Sequence, residues 1–143
     1  MKINFALQHF YPKKTVLNKI AKRNAEYLNN AVIKPNVSKN DKAILKSSQR
    51  SVGRFAENQG VNVEFTTGKN HSTTMNIYKK EYEREYGNQF SINRLKLASV
   101  PVDAKSGKMD MIKEAIKNIV ANFTKNPNSV EEKVKVGTIN FID

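Results

Sequence analysis

The sequence contains no cysteine and no tryptophan among its 143 residues. Without cysteine there are no disulfide bonds, no thiol catalysis and no cysteine-ligated zinc or iron–sulfur centres. No stretch reaches the roughly 18 apolar residues that a membrane-spanning helix needs. The apolar stretch before Gln8 and His9 is also too short for the core of a signal peptide. We therefore expect a cytoplasmic protein.

Negative charge is also scarce, and the formal net charge is +12. Residues 1–60 hold 12 basic and 3 acidic residues, whereas residues 61–143 hold 13 and 10. Most of the excess therefore belongs to the first part of the chain. Such a charge favours a polyanionic partner, either nucleic acid or an acidic protein surface. The alternative is a lysine-rich solvated surface, since lysine outnumbers arginine 20 to 5.

Three segments show the 3.6-residue periodicity of amphipathic helices. They are residues 14–32, 38–59 and 108–125. The first is expected to stop before Pro35, because the residue preceding a proline is pushed out of the helical region. The third has an uninterrupted apolar stripe, which we interpret as a core-facing surface.

The second helix carries signals at both ends. Ser38, followed three residues later by Asp41, resembles a capping box, and Gly60 is suited to end a helix in the left-handed conformation. Gly53 in its interior costs about 1 kcal/mol of helix propensity relative to alanine. We expect this glycine to mark a close packing contact.

Period-two alternation predicts strands at residues 61–66, 73–77, 90–102 and 133–141. The polar segment 68–71 is expected to join the first two as a hairpin turn. The last strand changes register at Gly137, which indicates a bulge. Residues 1–12 are expected to form a further strand or a docking arm.

This order of elements predicts one α+β domain over residues 1–143. A run of consecutive strands flanked by helices favours a small, mostly antiparallel sheet of four or five strands. Two N-terminal helices and one C-terminal helix are expected to pack against that sheet. A domain of this length can bury about two-thirds of its unfolded surface.

The segment Lys79–Tyr86 is compatible with either a strand or a helix. As a strand it alternates basic and aromatic residues on one face and glutamates on the other. Basic and aromatic residues together are typical of single-stranded nucleic-acid binding. Because the glutamates would repel phosphate, we favour a charge-paired edge strand. The segment is also a candidate interaction patch, formed by Tyr78, Tyr82, Arg84 and Tyr86.

The candidate polyanion-binding site is a basic ridge on the helix at 38–59. Its members recur at spacings of three and four residues, so they share one side of the helix. They are Lys39, Lys42, Lys46, Arg50 and Arg54. Lys19, Lys22 and Arg23 of the preceding helix are expected to extend the patch. The alternative is a solvated polar face; a helix-turn-helix fits poorly, because the intervening break is long and contains a proline.

The sequence carries no signature of an enzyme, a metal site or a cofactor. His9 and His71 are far apart, and neither has a partner at metal-ligand spacing. Gly68-Lys69 superficially resembles a phosphate-binding loop, but Val63 occupies the position where the motif requires glycine. We therefore expect a non-enzymatic protein without cofactor.

These observations predict a small basic binding protein that docks on nucleic acid or a nucleoprotein through its N-terminal helical face. The alternative is a protein-interaction or inhibitor module, of the type encoded by mobile elements or secreted as an effector, that binds an acidic protein partner. The sequence does not indicate the oligomeric state.

Overall fold

The computed structural model describes residues 27–104 and 109–140. Its elements, numbered in chain order, are β1 (Ala31–Ile33), α1 (Lys39–Asn58), β2 (Asn62–Thr67), a short 3₁₀ turn (Lys69–His71), β3 (Thr73–Tyr86), β4 (Gln89–Pro101), α2 (Met109–Lys125) and β5 (Glu132–Asn140). Residues 27–29 are also helical. The strand or arm expected at 1–12 lies outside the described residues.

The five strands form one sheet in the order β1-β2-β3-β4-β5, so each strand lies beside its predecessor in the chain. β1 runs parallel to β2, and all the other neighbours are antiparallel. With helices in the N-terminal region and one towards the C-terminus, the predicted α+β fold with a mostly antiparallel sheet is confirmed.

One boundary of the sequence prediction is wrong. The helix expected over 14–32 does not reach residue 32, because Ala31–Ile33 forms strand β1. These residues pair with Val63–Phe65 of β2 in parallel register. The backbone of β1 therefore bonds to a strand 32 positions later in the chain, and this tertiary pairing overrides the local helical periodicity.

α1 begins and ends as predicted. The hydroxyl oxygen of Ser38 accepts a hydrogen bond from the backbone N–H of Asp41 at 3.3 Å. Gly60, just beyond the helix, has a φ of 75°, in the left-handed region that glycine adopts without strain. Inside the helix, a Cβ atom at Gly53 would collide with the carbonyl oxygen of Tyr27. The close packing contact expected at this glycine is therefore confirmed.

The hydrophobic core lies between the two helices and one face of the sheet, here called the helix face. β2 and β3 contribute alternate residues, and both helices contribute their apolar stripes. The largest fully buried side chains are Phe65, Leu45, Met75, Ile77, Ile116, Val52 and Val63. The predicted hairpin of β2 and β3 and the core-facing stripe of the C-terminal helix are thus present.

β3 and β4 are long strands of 14 and 13 residues, and the segment 79–86 belongs to β3. The choice between strand and helix is therefore settled in favour of a strand. Three register shifts mark irregularities in this part of the sheet, and the one between Arg84 and Tyr86 lies next to the turn that joins β3 to β4. The other two are bulges. One bulge leaves Leu97 of β4 without a partner in β3, and the second leaves Val136 of β5 without a partner in β4, next to Gly137 as expected.

Candidate functional site

The five cations of the predicted ridge all lie on α1. Because of their spacing they follow a line that begins beside the buried residues of that helix, at Lys42, and drifts to the opposite side by Arg54. From Lys39 to Arg54 the ridge extends about 22 Å along the helix axis, given a rise of 1.5 Å per residue. Four of its five members are exposed, and Lys42 is half-buried. We call the group Lys39, Lys42, Lys46, Arg50 and Arg54 the basic ridge.

The acidic residues of α1 lie elsewhere. Asp41 points towards the sheet, where its carboxylate accepts a hydrogen bond of 2.6 Å from the hydroxyl of buried Thr73. Glu57 is exposed and lies beyond the ridge, near the helix C-terminus. Along its length, the exposed side of the helix from Lys39 to Arg54 therefore carries charge of one sign.

Lys42 and Arg54 are ridge residues with structural contacts of known geometry. The ammonium group of Lys42 donates a hydrogen bond of 3.2 Å to the carbonyl oxygen of Pro35. The guanidinium carbon of Arg54 lies 5.0 Å from the centre of the Tyr27 ring, a cation–π distance. The proposed extension of the patch, Lys19, Lys22 and Arg23, lies outside the described residues.

A second cationic surface lies on the sheet face opposite the helices, here called the outer face. β3 and β4 are paired so that Lys80 lies opposite Arg94, and Tyr82 lies opposite Ile92. Paired residues of neighbouring strands share a face, and so do residues two positions apart along a strand. The outer face of this part of the sheet therefore contains Lys80, Tyr82, Arg84, Ile92, Arg94 and Lys96.

The tyrosines of the candidate patch differ in exposure. Tyr78 is only 8% exposed, whereas Tyr82 and Tyr86 are 58% and 72% exposed. The guanidinium carbon of Arg94 lies 4.0 Å from the centre of the Tyr78 ring. Burial raises the pKa of the Tyr78 hydroxyl, and the nearby Glu64 carboxylate raises it further, so this side chain stays neutral. Tyr78 is therefore a packed support for Arg94.

The three glutamates of the segment 79–86 lie on the helix face. Lys133 of β5 bridges Glu81 and Glu83, with nitrogen–oxygen distances of 3.5 and 2.8 Å, and Lys135 lies 3.1 Å from Glu85. The hydrogen bond from Lys133 holds the pKa of the Glu83 carboxyl below its usual value. The same contact raises the pKa of Lys133.

These ion pairs offset most of the negative charge of β3, on the face of the sheet opposite the outer face. Among the strand residues that the structure describes, the outer face also carries the carboxylates of Glu64 and Glu132. Glu64 is 3.7 Å from the ammonium group of Lys34, and Glu132 lies opposite Lys96 in the β4–β5 register. Around Tyr82 itself the charged residues of the outer face, Lys80, Arg84 and Arg94, are all basic.

Two of the cavities in the described part of the chain have different linings. An open polar hollow of about 530 Å³ is lined by Asn29, Asn30, Glu57, Gly60, Asn62 and Lys80. A smaller cavity of about 250 Å³ between α1 and the start of α2 is mainly apolar. His71 lines neither of them and is exposed on the 3₁₀ turn. Among the described residues, no three or more histidine, aspartate and glutamate side chains group to hold a metal ion.

Comparison with protein-family models, with curated proteins and with solved structures gave no match. Within residues 27–104 and 109–140, no helix is long and apolar enough to cross a membrane.

Sequence reasoning identified the basic ridge as a group on one helix, but it did not bring Arg94 and Lys96 to the candidate patch. Both residues belong to β4, and only the pairing of β3 with β4 places them beside Lys80 and Tyr78. The alternation of Ile92, Arg94 and Lys96 is visible in the sequence. The face on which it lies depends on the register.

Proposed function

We propose that this protein binds nucleic acid, with the basic ridge of α1 contacting the phosphate backbone. The observation that carries the proposal is the ridge itself, with five cations, four of them exposed, along about 22 Å of one helix and no acidic residue among them. The ridge residues from Lys42 to Arg54 repeat every four positions, or about 6 Å.

The orientation of Asp41 supports the same proposal. Of the two acidic residues in α1, Asp41 is engaged with Thr73 on the inner side of the helix. A phosphate approaching the ridge therefore meets cations first. Each cation that neutralises a phosphate releases counterions, so binding by this surface has to weaken as salt increases.

The experiment is a salt titration of binding to a short duplex of arbitrary sequence. If all five ridge cations contact phosphates, the logarithm of the association constant falls against the logarithm of salt concentration with a slope of about −4 to −5. The combined variant Lys46→Ala, Arg50→Ala, Arg54→Ala should make this slope shallower by about 3. Charge reversal at the same three positions should abolish binding at low salt.

A matched control separates the ridge from net charge. Lys69, Lys117 and Lys125 are exposed on other parts of the molecule. Reversing these three lysines to glutamate changes the net charge by the same amount as reversing Lys46, Arg50 and Arg54. The control should lose much less affinity. Equal losses in the two variants, or wild-type binding that does not depend on salt, would contradict the proposal.

An acidic protein is the second candidate partner, because carboxylates pair with lysine and arginine as phosphates do. The exposed aromatic rings of Tyr82 and Tyr86 favour it, since tyrosine is enriched where proteins contact each other. A pull-down from the native cell, with and without nuclease, distinguishes the two candidates. A partner retained in stoichiometric amounts after nuclease treatment would support the interaction module.

The proposal describes a binding protein and not an enzyme. His71 is the histidine within the described residues, and it is exposed and outside both cavities described above. A general acid–base role requires a positioned proton donor or acceptor beside a bound substrate. Binding of a polyanion to the basic ridge, by contrast, needs no such catalytic group.

A further inference from the structure

We propose that the outer face around Tyr82 is a second nucleic-acid surface, and that it binds single strands by stacking unpaired bases. This inference rests on the proposed nucleic-acid binding, and it names the strand type and the residues involved. It does not depend on the basic ridge, which lies on α1, on the other side of the sheet. The proposed single-strand surface on the outer face consists of Lys80, Tyr82, Arg84, Arg94 and Lys96.

The basic residues of β3 in the proposed surface lie on the face of the sheet opposite the glutamates of that strand. The glutamates therefore do not repel a phosphate bound on the outer face. Glu81, Glu83 and Glu85 alternate in sequence with the basic and aromatic residues, so in the sequence the two kinds of charge appear mixed. In the sheet, the glutamates all pair with Lys133 and Lys135 on the helix face. A strand lying on the outer face is separated from them by the sheet.

Tyr82 offers an aromatic surface in the centre of this cationic region. Its side chain is 58% exposed. Lys80 and Arg84 flank it two residues away on the same strand, and Ile92 lies opposite it on β4. An unpaired base can stack on the exposed ring, and the phosphates on either side of that base can then contact the two cations.

Arg94 provides a second flat surface. Its guanidinium group lies 4.0 Å from the Tyr78 ring centre and is held there by that contact. Arg94 is nevertheless exposed as a residue, and its guanidinium has a second face on the side away from the ring. Arginine planes stack on unpaired bases as aromatic rings do. Buried Tyr78 thus orients the arginine and does not itself contact the strand.

The size of the surface sets the length of strand that it can hold. From Lys80 to Arg84, β3 advances about 14 Å, so this surface can hold only a few nucleotides. A base pair in a duplex hides the base faces, so only unpaired bases can stack on Tyr82 and Arg94. Because every base has a π-face, the preference should be for single strands and not for a sequence.

An acidic protein is the alternative occupant, and the exposed Val134 and Val136 on the neighbouring strand would suit a protein partner. The charged residues around Tyr82 favour the nucleic acid. Lys80, Arg84 and Arg94 surround the ring on both strands, whereas the valines lie at the side of this group on β5. The alternative becomes one outcome of the test.

The test measures binding of a fluorescent oligothymidylate of about eight nucleotides and of a hairpin duplex of similar charge. The Tyr82→Ala variant should bind the oligothymidylate about 5- to 100-fold more weakly and should bind the duplex as the wild type does. Tyr82→Phe keeps the ring and should retain the wild-type affinity. Because Tyr82 is exposed, these changes should leave the circular dichroism spectrum unaltered.

Lysine variants test the charge. Lys80→Ala should weaken oligothymidylate binding and its salt dependence, whereas Lys117→Ala, which removes the same charge from the exposed side of α2, should not. Arg94→Ala should weaken binding as Tyr82→Ala does. If the wild type binds the oligothymidylate and neither Tyr82→Ala nor Arg94→Ala weakens it, the inference is wrong.

The outcomes separate this inference from the proposed function. Loss of duplex binding on reversing Lys46, Arg50 and Arg54, with no effect of Tyr82→Ala on either probe, would keep the ridge and overturn the stacking surface. Loss of oligothymidylate binding in Tyr82→Ala, with a ridge reversal that changes nothing, would do the opposite. Wild-type protein that binds neither probe would overturn both. An acidic protein that is retained after nuclease treatment and lost in Tyr82→Ala would assign the face to the alternative occupant.

Discussion

The carbonyl oxygen of Tyr27 lies against Gly53 so closely that a Cβ atom at position 53 would overlap it. This contact places the helical residues 27–29 directly on α1. On helix propensity alone, Gly53→Ala should stabilise the protein by about 1 kcal/mol. Because the colliding atom belongs to the backbone, we expect the variant instead to lose about 1–3 kcal/mol of unfolding free energy.

The reverse substitution at an exposed site of the same helix is the control. Ala43 is exposed on α1. Ala43→Gly should lose about 1 kcal/mol, through helix propensity alone. Urea unfolding followed by circular dichroism measures both variants. A Gly53→Ala protein that is as stable as the wild type would show that residues 27–29 yield to the added methyl group.

Asp41 connects the start of α1 to the sheet, and its removal should cost more than the removal of the helix cap. Ser38→Ala removes the capping oxygen and should cost about 1 kcal/mol. Asp41→Ala removes the carboxylate that accepts the hydrogen bond of buried Thr73, and should cost about 1.5–3 kcal/mol.

Asp41→Asn is the matched control, because the amide keeps an oxygen that can accept from the Thr73 hydroxyl. Its loss should be intermediate. Unfolding in urea at neutral pH gives the three free energies under the same conditions. If Asp41→Ala were no more destabilising than Ser38→Ala, the contact with Thr73 would contribute nothing measurable.

The ion pair between Glu83 and Lys133 predicts a dependence on pH at the acidic end. The pKa of Glu83 is lowered in the folded protein by the hydrogen bond from Lys133. A carboxyl group with a lowered folded pKa stabilises the fold above its unfolded pKa of about 4.3. That contribution is lost as pH falls through the lowered pKa of the folded state.

Carboxyl titration by nuclear magnetic resonance checks this directly. The Glu83 carboxyl should titrate below its ordinary range in the wild type and return towards it in Lys133→Met. Added salt should reduce the shift, because both side chains are exposed to solvent. A Glu83 carboxyl that titrates at its ordinary value in the wild type would mean that the pair does not persist in solution.

The parts of the fold that follow from local signals were predictable from the sequence. α1 is an example, because Ser38, the apolar stripe and Gly60 all lie within one continuous stretch. The bulge beside Gly137 is another, since it appears as a change of alternation within β5. These features depend on residues a few positions apart.

β1 was not predictable in this way. Its three residues continue the helical pattern that precedes them, and they are a strand only because Val63–Phe65 lies alongside. The pairing partners of the β3 glutamates could not be predicted from β3 alone. The sequence showed that the glutamates share a face, but their ion pairing depends on Lys133 and Lys135, about 50 residues later in the chain.

One of the two candidate surfaces was predictable from local sequence, and the other was not. The basic ridge could be listed from one helix, because residues three and four apart share a side. The outer face around Tyr82 could not, since Arg94 reaches it through the β3–β4 register. That register includes the bulge at Leu97, which reverses the alternation of β4 midway and cannot be located from the sequence of one strand.

The alternation of β3 makes this hairpin far more sensitive to insertions and deletions than to substitutions. A substitution at Tyr82 changes one side chain on one surface. A one-residue insertion before it would move every following side chain to the opposite face of the sheet, bringing glutamates out beside Arg94 and tyrosine in beside Lys133. The cationic outer face and the ion-paired helix face of this hairpin would be lost together, although the composition of the segment would hardly change. The length of this strand is therefore as strong a constraint on the protein as the identity of its residues.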